Sequence, residues 1–365
     1  MRVAVTLEQC WHKVPGGTAV AALELVRALD ERDDLELVGV AARHLGPPLD
    51  QWTPSIPVRQ LWAPNKLLYE LWHSDSRLAP RVESATGAVD VVHATAIAYP
   101  RADAPVVVTV HDLSFLDDPA RATKHGHRFM RRGTDLALAH ARLVLCSSLA
   151  TLDDCVRAGF ERERLRHVPL GVRAGARSLD DVARVHTKYG LVRPYVMFTG
   201  TIEPRKNLPR LLRAFAAIEH RDVDLVLVGP EGWNESIGAE LASLGDRVHV
   251  MGFVPRDELE ALLAGADVFC YPSVKEGFGL PVLEAMAQGT AVITSSTTST
   301  AEVAGDAAVL IDPFDVHAIA LAIDKLLDDR DLAERLAVAG RARAAAFSWA
   351  RTAELTKAVY DEAIA

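Results

Sequence analysis

Two glutamates with seven residues between them bracket a glycine turn in "VFCYPSVKEGFGLPVLEAMAQGTAVIT". Glu276 precedes Gly277 and Gly279, and Glu284 follows Pro281, which opens a short helix closed by Gly289. Gly277 and Gly279 let a ligand come close to the backbone. The amides of Phe278, Gly279 and Leu280 sit at a helix N-terminus, where unpaired N–H groups and the helix dipole favour an anion such as a diphosphate. A carboxylate in the first turn behind them suits a ribose diol, which would donate two hydrogen bonds to Glu284; complementing the helix dipole is the structural alternative. Glu276, at the mouth of the turn, suits polar hydroxyls or, beside Lys275, is an exposed loop carboxylate. A second group lies in "YVMFTGTIEPRKNLPRLLRAF". The strand ends at Gly200, and Arg205 and Lys206 fall in the turn before the next helix. Arginine as a fork and lysine as a point charge fit a diphosphate; a solvated basic turn is the plainer reading. Asn207 is expected to N-cap that helix, with Leu208, Leu211, Leu212 and Phe215 on its apolar face.

Such residues act only if strands and helices bring them to one place. The 365-residue chain is 49% hydrophobic and 24% charged, which predicts a soluble protein of two domains. Its net charge of -9 argues against nucleic acid as a partner. No apolar run reaches membrane-spanning length, and "MRVAVTLEQC" reads as a strand rather than a signal peptide. The four cysteines show no CxxC spacing and are expected to be reduced, mostly buried thiols of a cytoplasmic protein. Short apolar runs alternate with helical stretches throughout, as in parallel sheets covered on both faces. The alternation pauses over "LGVRAGARSLDD", Leu170 to Asp181, and then restarts. The fold class is therefore α/β, with two Rossmann-like doubly wound domains over residues 1–172 and 173–347 and a closing helix over 348–365. Ligands of open parallel sheets sit beyond the carboxyl ends of the strands, so two facing domains would share a cleft. In the first domain Gly16 and Gly17 precede a helix starting near Thr18, and His111 and Asp112 end the strand "VVVTVHD".

"EGFGLPVLEAMAQGTAVITS", "GTIEPRKNLPRLLRAF" and "EVAGDAAVLIDP" resemble the retaining GT-B glycosyltransferases of family 4, and the resemblance runs over nearly the whole chain. It implies the GT-B fold, with the final helix crossing back to the N-terminal domain. It implies that Glu276 holds hydroxyls of a donor sugar and that amides around Phe278, Gly279 and Leu280 bind the diphosphate. Glu284 would bind the ribose, Arg205 and Lys206 would neutralise the leaving group, and "MGFVP", including Val254, would meet the base. Gly16, Gly17 and Thr18 would lie near the diphosphate and acceptor. His111 would sit beside the donor sugar, with Asp112 on the acceptor side. The donor implied is a nucleotide diphosphate sugar, GDP-mannose first and a UDP-hexose second, with no cofactor. Two departures stand out: hydroxyl residues replace glycines in "SSTTSTAEVAG", which keeps Glu302, and the two cations are adjacent.

No DxD lies at a strand's carboxyl end; Asp222 and Asp224 open a strand and are expected merely to solvate it, so no metal is expected. The family's retention of configuration, by front-face attack with the leaving phosphate taking the acceptor's proton, accounts for the lack of a nucleophilic carboxylate pair. The alternatives weighed are a non-catalytic nucleotide-sugar-binding protein, a GT-B epimerase and a nicotinamide oxidoreductase, although "GFGLPV" lacks the third glycine of G-x-G-x-x-G. Finally, residues 121–132 gather Arg121, Lys124, Arg128, Arg131 and Arg132 downstream of Trp52, Trp62, Tyr69 and Trp72. Spacings of three and four put the first four cations on one helical face. This stretch fits peripheral contact with an anionic membrane, or else an ordinary solvated helix beside an aromatic cluster.

Overall fold

A computed structural model describes residues 1–12, 16–74, 76–118, 123–173, 175–232 and 235–365. The chain forms two compact units: Met1–Gly171 joined by Trp349–Ala365, and Val172–Ser348. The first contains strands β1 (Arg2–Thr6), β2 (Glu36–Arg43), β3 (Val58–Pro64), β4 (Val91–Ala94), β5 (Val106–Val110), β6 (Leu143–Cys146) and β7 (Leu165–His167). They pair in the order β3-β2-β1-β4-β5-β6-β7, every pair parallel. The second contains β8 (Tyr195–Thr199), β9 (Asp224–Val228), β10 (Val248–Gly252), β11 (Val268–Tyr271), β12 (Ala291–Ser295) and β13 (Val309–Ile311), ordered β10-β9-β8-β11-β12-β13 and again all parallel. The central strands β4, β5, β6, β8, β9, β11 and β12 are buried along their whole lengths. Each is a near-continuous run of apolar residues because both of its faces are covered.

In each sheet the strand order reverses at one place, between β1 and β4 and between β8 and β11. A crevice opens there beyond the carboxyl ends, so residues after β1, β4, β8 and β11 are where a ligand is expected to meet side chains. The final helix, Trp349–Ile364, packs within the first unit. The Thr352 hydroxyl donates to the Pro169 carbonyl at 2.8 Å, and the Tyr360 hydroxyl meets His93 at 2.7 Å. All four cysteines are buried and unbridged. Among the described residues, no helix is long and apolar enough to cross a membrane.

Two local expectations need correction. Asn207 does precede the helix Leu208–Ala217, but it lies in the left-handed region at φ 62° and its side chain does not cap. Its amide instead donates to the carbonyls of Pro272 (2.9 Å) and Pro313 (2.6 Å), tying the β8 turn to two neighbouring loops. Leu208, Leu211, Leu212 and Phe215 are all buried, as their spacing requires. Asp224 does not solvate a strand end. It is buried, with the Arg193 guanidinium at 3.3 Å and His249 Nε2 at 3.0 Å.

Candidate active site

A dense, charged polar cluster lies beyond the carboxyl ends of β8 and β11. Gly200, at φ 149°, takes the chain out of β8 into a short turn, Pro204–Lys206. Backbone bonds join this turn to the loop after β11: the Val274 amide donates to the Arg205 carbonyl at 2.8 Å. Glu276 is 7% exposed, so it is no solvated loop carboxylate. One of its oxygens accepts from Arg205 Nη1 and the other from Lys206 Nζ, each at 2.7 Å. The Tyr271 hydroxyl, at the end of β11, donates to Glu276 at 3.1 Å and also meets Lys206. Arg205 reaches a second carboxylate, Glu203, at 2.8 Å, and Glu203 is 2% exposed. Burial opposes charge on Glu276, but Arg205 and Lys206 outweigh it and hold the carboxyl down at about 2. Burial, and then Arg205, pull Lys206 below its ordinary value against Glu276 and Glu203. Two cations are thus fixed in a dry strand-end site by two carboxylates, an arrangement able to stabilise developing negative charge without reorganising.

The glycine turn follows. The helix runs Leu280–Gln288 between Gly279 (φ 108°) and Gly289 (φ 80°), both left-handed. At Gly279 a Cβ would come within 2.7 Å of Thr300 Cγ2, so glycine is required by conformation and by space. Of the hydroxyl residues replacing glycines in "SSTTSTAEVAG", Ser296 and Thr297 are exposed while Thr298, Ser299 and Thr300 are buried: Ser299 Oγ donates to the Glu276 carbonyl at 2.8 Å, and Thr298 caps its own short helix. Ser299 and Thr300 brace the turn from behind. Gly277 and the buried Phe278 lie in the turn, with Leu280 as the first helical residue. Because the helix starts at Leu280, Glu284 lies just past the first turn. Its carboxylate is not aimed at the dipole alone, since Arg256 Nη2 sits 3.0 Å from Oε1. Arg256 opens the helix Arg256–Gly265 beyond β10, and Val254, two residues before it, is buried.

The first unit places its candidate residues at strand ends too. His111, half-buried after β5, has Nε2 3.0 Å from the Thr95 carbonyl. Burial pulls it below its ordinary value, against the Thr95 carbonyl and Asp112. The ring is therefore neutral at pH 7, with its proton on Nε2 and Nδ1 left as an acceptor. Thr95 follows β4 and accepts from Gln9 Nε2 at 2.6 Å. Gln9 follows β1, so this chain of bonds spans the switch point. Asp112 Oδ1 accepts from the Ser114 amide (3.0 Å) and hydroxyl (2.6 Å), closing a turn. Gly16, Gly17 and Thr18 are exposed, and the helix begins at Gly17. A Cβ at either glycine would touch nothing, so the fold alone does not demand glycine there.

Sequence reasoning missed Glu203, Tyr271, Arg256 and Gln9. Glu203 stood two residues from Arg205, a spacing that in a tight turn can return a carboxylate to its cation. The others carry no local signal because their partners are distant in sequence. The aromatic half of the membrane expectation fails for Trp52 and Trp72, which are buried; Trp62 is 54% exposed. Lys124, Arg128, Arg131 and Arg132 are exposed on the helix Lys124–His140. Arg121 lies outside the described residues.

Residues 15–176 match the family described as Glycosyltransferase Family 4, and residues 185–343 match Glycosyl transferases group 1. The chain is 35% identical over 253 residues to the O-antigen chain mannosyltransferase B of Escherichia coli, covering 67% of this chain and 66% of that one. It is 38% identical over 232 residues to the MMP alpha-(1->4)-mannosyltransferase of Mycolicibacterium hassiacum, covering 61% and 54%. Those matches span about half to two thirds of the relatives' own lengths. A D-inositol 3-phosphate glycosyltransferase of Salinispora arenicola is 30% identical over 397 residues, 96% of this chain and 88% of that one. Among solved structures, Anabaena HepE in complex with UDP and glucose superposes with TM-score 0.77 at 19% identity, over 99% of this chain and 100% of that one. WaaG, a glycosyltransferase involved in lipopolysaccharide biosynthesis, superposes with TM-score 0.72 at 18% identity, over 98% of both. These two likenesses establish the fold.

Proposed function

The chain belongs to the GT-B glycosyltransferases of the group 1 and family 4 kind, and on that premise we propose that it moves a hexose, mannose first, from a nucleotide diphosphate sugar to an acceptor hydroxyl with retention of configuration. The observation that carries this reading is Glu276, buried and held ionised between Arg205 and Lys206 at the switch point of the second sheet. A carboxylate so fixed is an acceptor for donor-sugar hydroxyls. The cations beside it meet the charge that grows on the diphosphate as the anomeric bond breaks. Ionised, Glu276 is also held in the salt bridges that orient those cations. Gly277, Phe278, Gly279 and Leu280 bring helix N-terminal amides to the same diphosphate, and Glu284 takes the ribose diol. His111, neutral and fixed by Thr95, would offer Nδ1 to a sugar hydroxyl. The acceptor's proton leaves with the diphosphate, so no second protein carboxylate is called on.

GDP-mannose is the first donor proposed and a UDP-hexose the second; the relatives named as mannosyltransferases support the sugar. A melting panel with GDP, UDP, dTDP and ADP tests donor binding, since a ligand at 100 times its dissociation constant adds about 2.7 kcal/mol. Nucleotide release on incubation with donor and acceptor tests transfer. If none of the four nucleotides raises the melting temperature, the reading fails.

The exposed cations of the helix Lys124–His140 favour peripheral contact with an anionic membrane surface. Lys124, Arg128 and Arg131 recur at four and three residues, and each cation near such a surface contributes about 1 kcal/mol. At low salt, anionic vesicles should sediment more protein than neutral ones, and replacing Arg128, Arg131 and Arg132 by glutamate should abolish the difference. Equal sedimentation with both vesicle types would assign the face to solvent and favour a soluble acceptor.

A further inference from the structure

The ion pair on Glu284 reaches beyond the ribose. Arg256 stands four residues past the end of β10 and is pinned from two sides. Its Nε donates to Glu260 Oε1 at 2.9 Å, and its Nη2 sits 3.0 Å from Glu284 Oε1. Glu260 is itself anchored, its other oxygen taking Arg177 Nε at 3.0 Å and Nη2 at 2.6 Å. Both glutamate side chains are about seven-eighths buried, while that of Arg256 remains 29% exposed. A planar guanidinium fixed by two carboxylates is a rigid fork of donors. The pair with Glu260 is the i,i+4 contact that helix geometry supplies unaided, but the pair with Glu284 joins Arg256 to a different helix at a carboxyl end of the sheet.

If Glu284 holds the ribose diol, the base attached at the neighbouring ribose carbon lies within a few ångströms of Arg256. Guanine presents two adjacent acceptors, O6 and N7, which match the fork in a bidentate pair. Adenine sets a donor amine beside N7, and uracil offers no adjacent acceptor pair on that edge, so neither satisfies the fork. Phe253, one residue past β10, is 56% exposed and offers an apolar ring to the face of a base. We propose that Arg256 is the specificity-determining residue of the nucleotide subsite and selects guanine, resting on the reading that Glu284 binds the ribose.

Calorimetric titration of the full chain with GDP, UDP and ADP tests this in wild type, Arg256→Gln and Arg256→Lys. Wild type should bind GDP at least about tenfold more tightly than UDP or ADP. Arg256→Gln should weaken GDP about tenfold to a hundredfold and leave UDP within about twofold. Arg256→Lys keeps a charge beside Glu284 but loses the fork, so it too should lose most of the preference for GDP, and it serves if the glutamine variant does not fold. Equal loss of GDP and UDP in both variants would reduce Arg256 to a support for Glu284 and overturn the proposal. Tighter wild-type binding of UDP or ADP than of GDP would overturn it while leaving the donor reading intact. Failure of wild type to bind any of the three would remove the donor reading and this proposal together.

Discussion

Beyond β8 and β11 the buried polar groups are charged and neutralise one another: Glu203 and Glu276 against Arg205 and Lys206. Beyond β1, β4 and β5 Gln9, Thr95, and His111 resting on a carbonyl are neutral hydrogen-bonding groups, and the buried carboxylate there, Glu8, is held by Asn65, His44 and the Ala42 amide rather than by a lysine or arginine. Beneath them, fully buried, His93 bridges Thr109 and Tyr360 at 2.7 Å each. Both sheets reverse their strand order in the same way, so the fold does not dictate the difference. The contrast follows the chemistry proposed for each unit. Charge develops on a departing diphosphate and is met by fixed charges, whereas an acceptor hydroxyl has only to be oriented.

The largest expected effect comes from removing one member of the charged set. Lys206→Ala should lower turnover about 100-fold or more with the fold retained, because the lost contact strengthens as the diphosphate gains charge. Its circular dichroism melt should stay cooperative, with Arg205 still holding Glu276. Turnover close to wild type would detach Lys206 from leaving-group stabilisation and erase the functional half of the comparison.

The first unit is expected to show its difference in acid. Burial pushes His93 down from 6.5 to about 3, so below pH 6.5 the unfolded chain binds a proton that the folded chain refuses. Stability then falls with pH through that window, by about 2 kcal/mol at pH 5 from this residue alone. Glu276 behaves in the opposite sense: depressed to about 2, its contribution is present above the unfolded carboxyl range and is lost only as pH falls toward 2. Urea unfolding at pH 7 and pH 5 should therefore show wild type losing about 2 kcal/mol more than His93→Gln, which keeps hydrogen-bonding capacity without titrating. Parallel losses in the two proteins would mean that His93 does not set the acid sensitivity of the first unit.

The charged region was the more legible from sequence, and the reason is physical. Tight turns between a strand and a helix keep Arg205 beside Lys206 and Glu276 beside Gly277 and Gly279, so the pattern survives in a linear reading. The burial of Glu276 and its pairing were hidden, because the cations lie some seventy positions away and only the adjacency of β8 and β11 brings them together. Asn207 misled because its side chain found partners in other loops, where a tertiary contact overrode the local capping preference. Trp52 and Trp72 misled because aromatic side chains at helix and turn positions read the same whether they face solvent or core. In the first unit the strand ends were visible, but Gln9 and Thr95 belong to polar residue types found in any loop.

The smallest expected effect tests whether the charged set is sufficient. Arg205 and Lys206 already supply two positive charges beside Glu276, and among the described residues no group of three or more His, Cys, Asp or Glu could hold a metal ion. Magnesium bound to a diphosphate usually takes one or two protein carboxylates as well. Here Glu203 and Glu276 are committed to the cations, with Glu276 accepting from Arg205 and Lys206 at 2.7 Å each. Drawing either carboxylate to a metal would cost an ion pair in a buried site. Transfer should therefore proceed at an unchanged rate in excess EDTA. A complete loss, restored by magnesium or manganese, would mean that the fixed cations do not carry the leaving-group charge alone, and that the ionic cluster of the second unit organises the loop rather than the reaction.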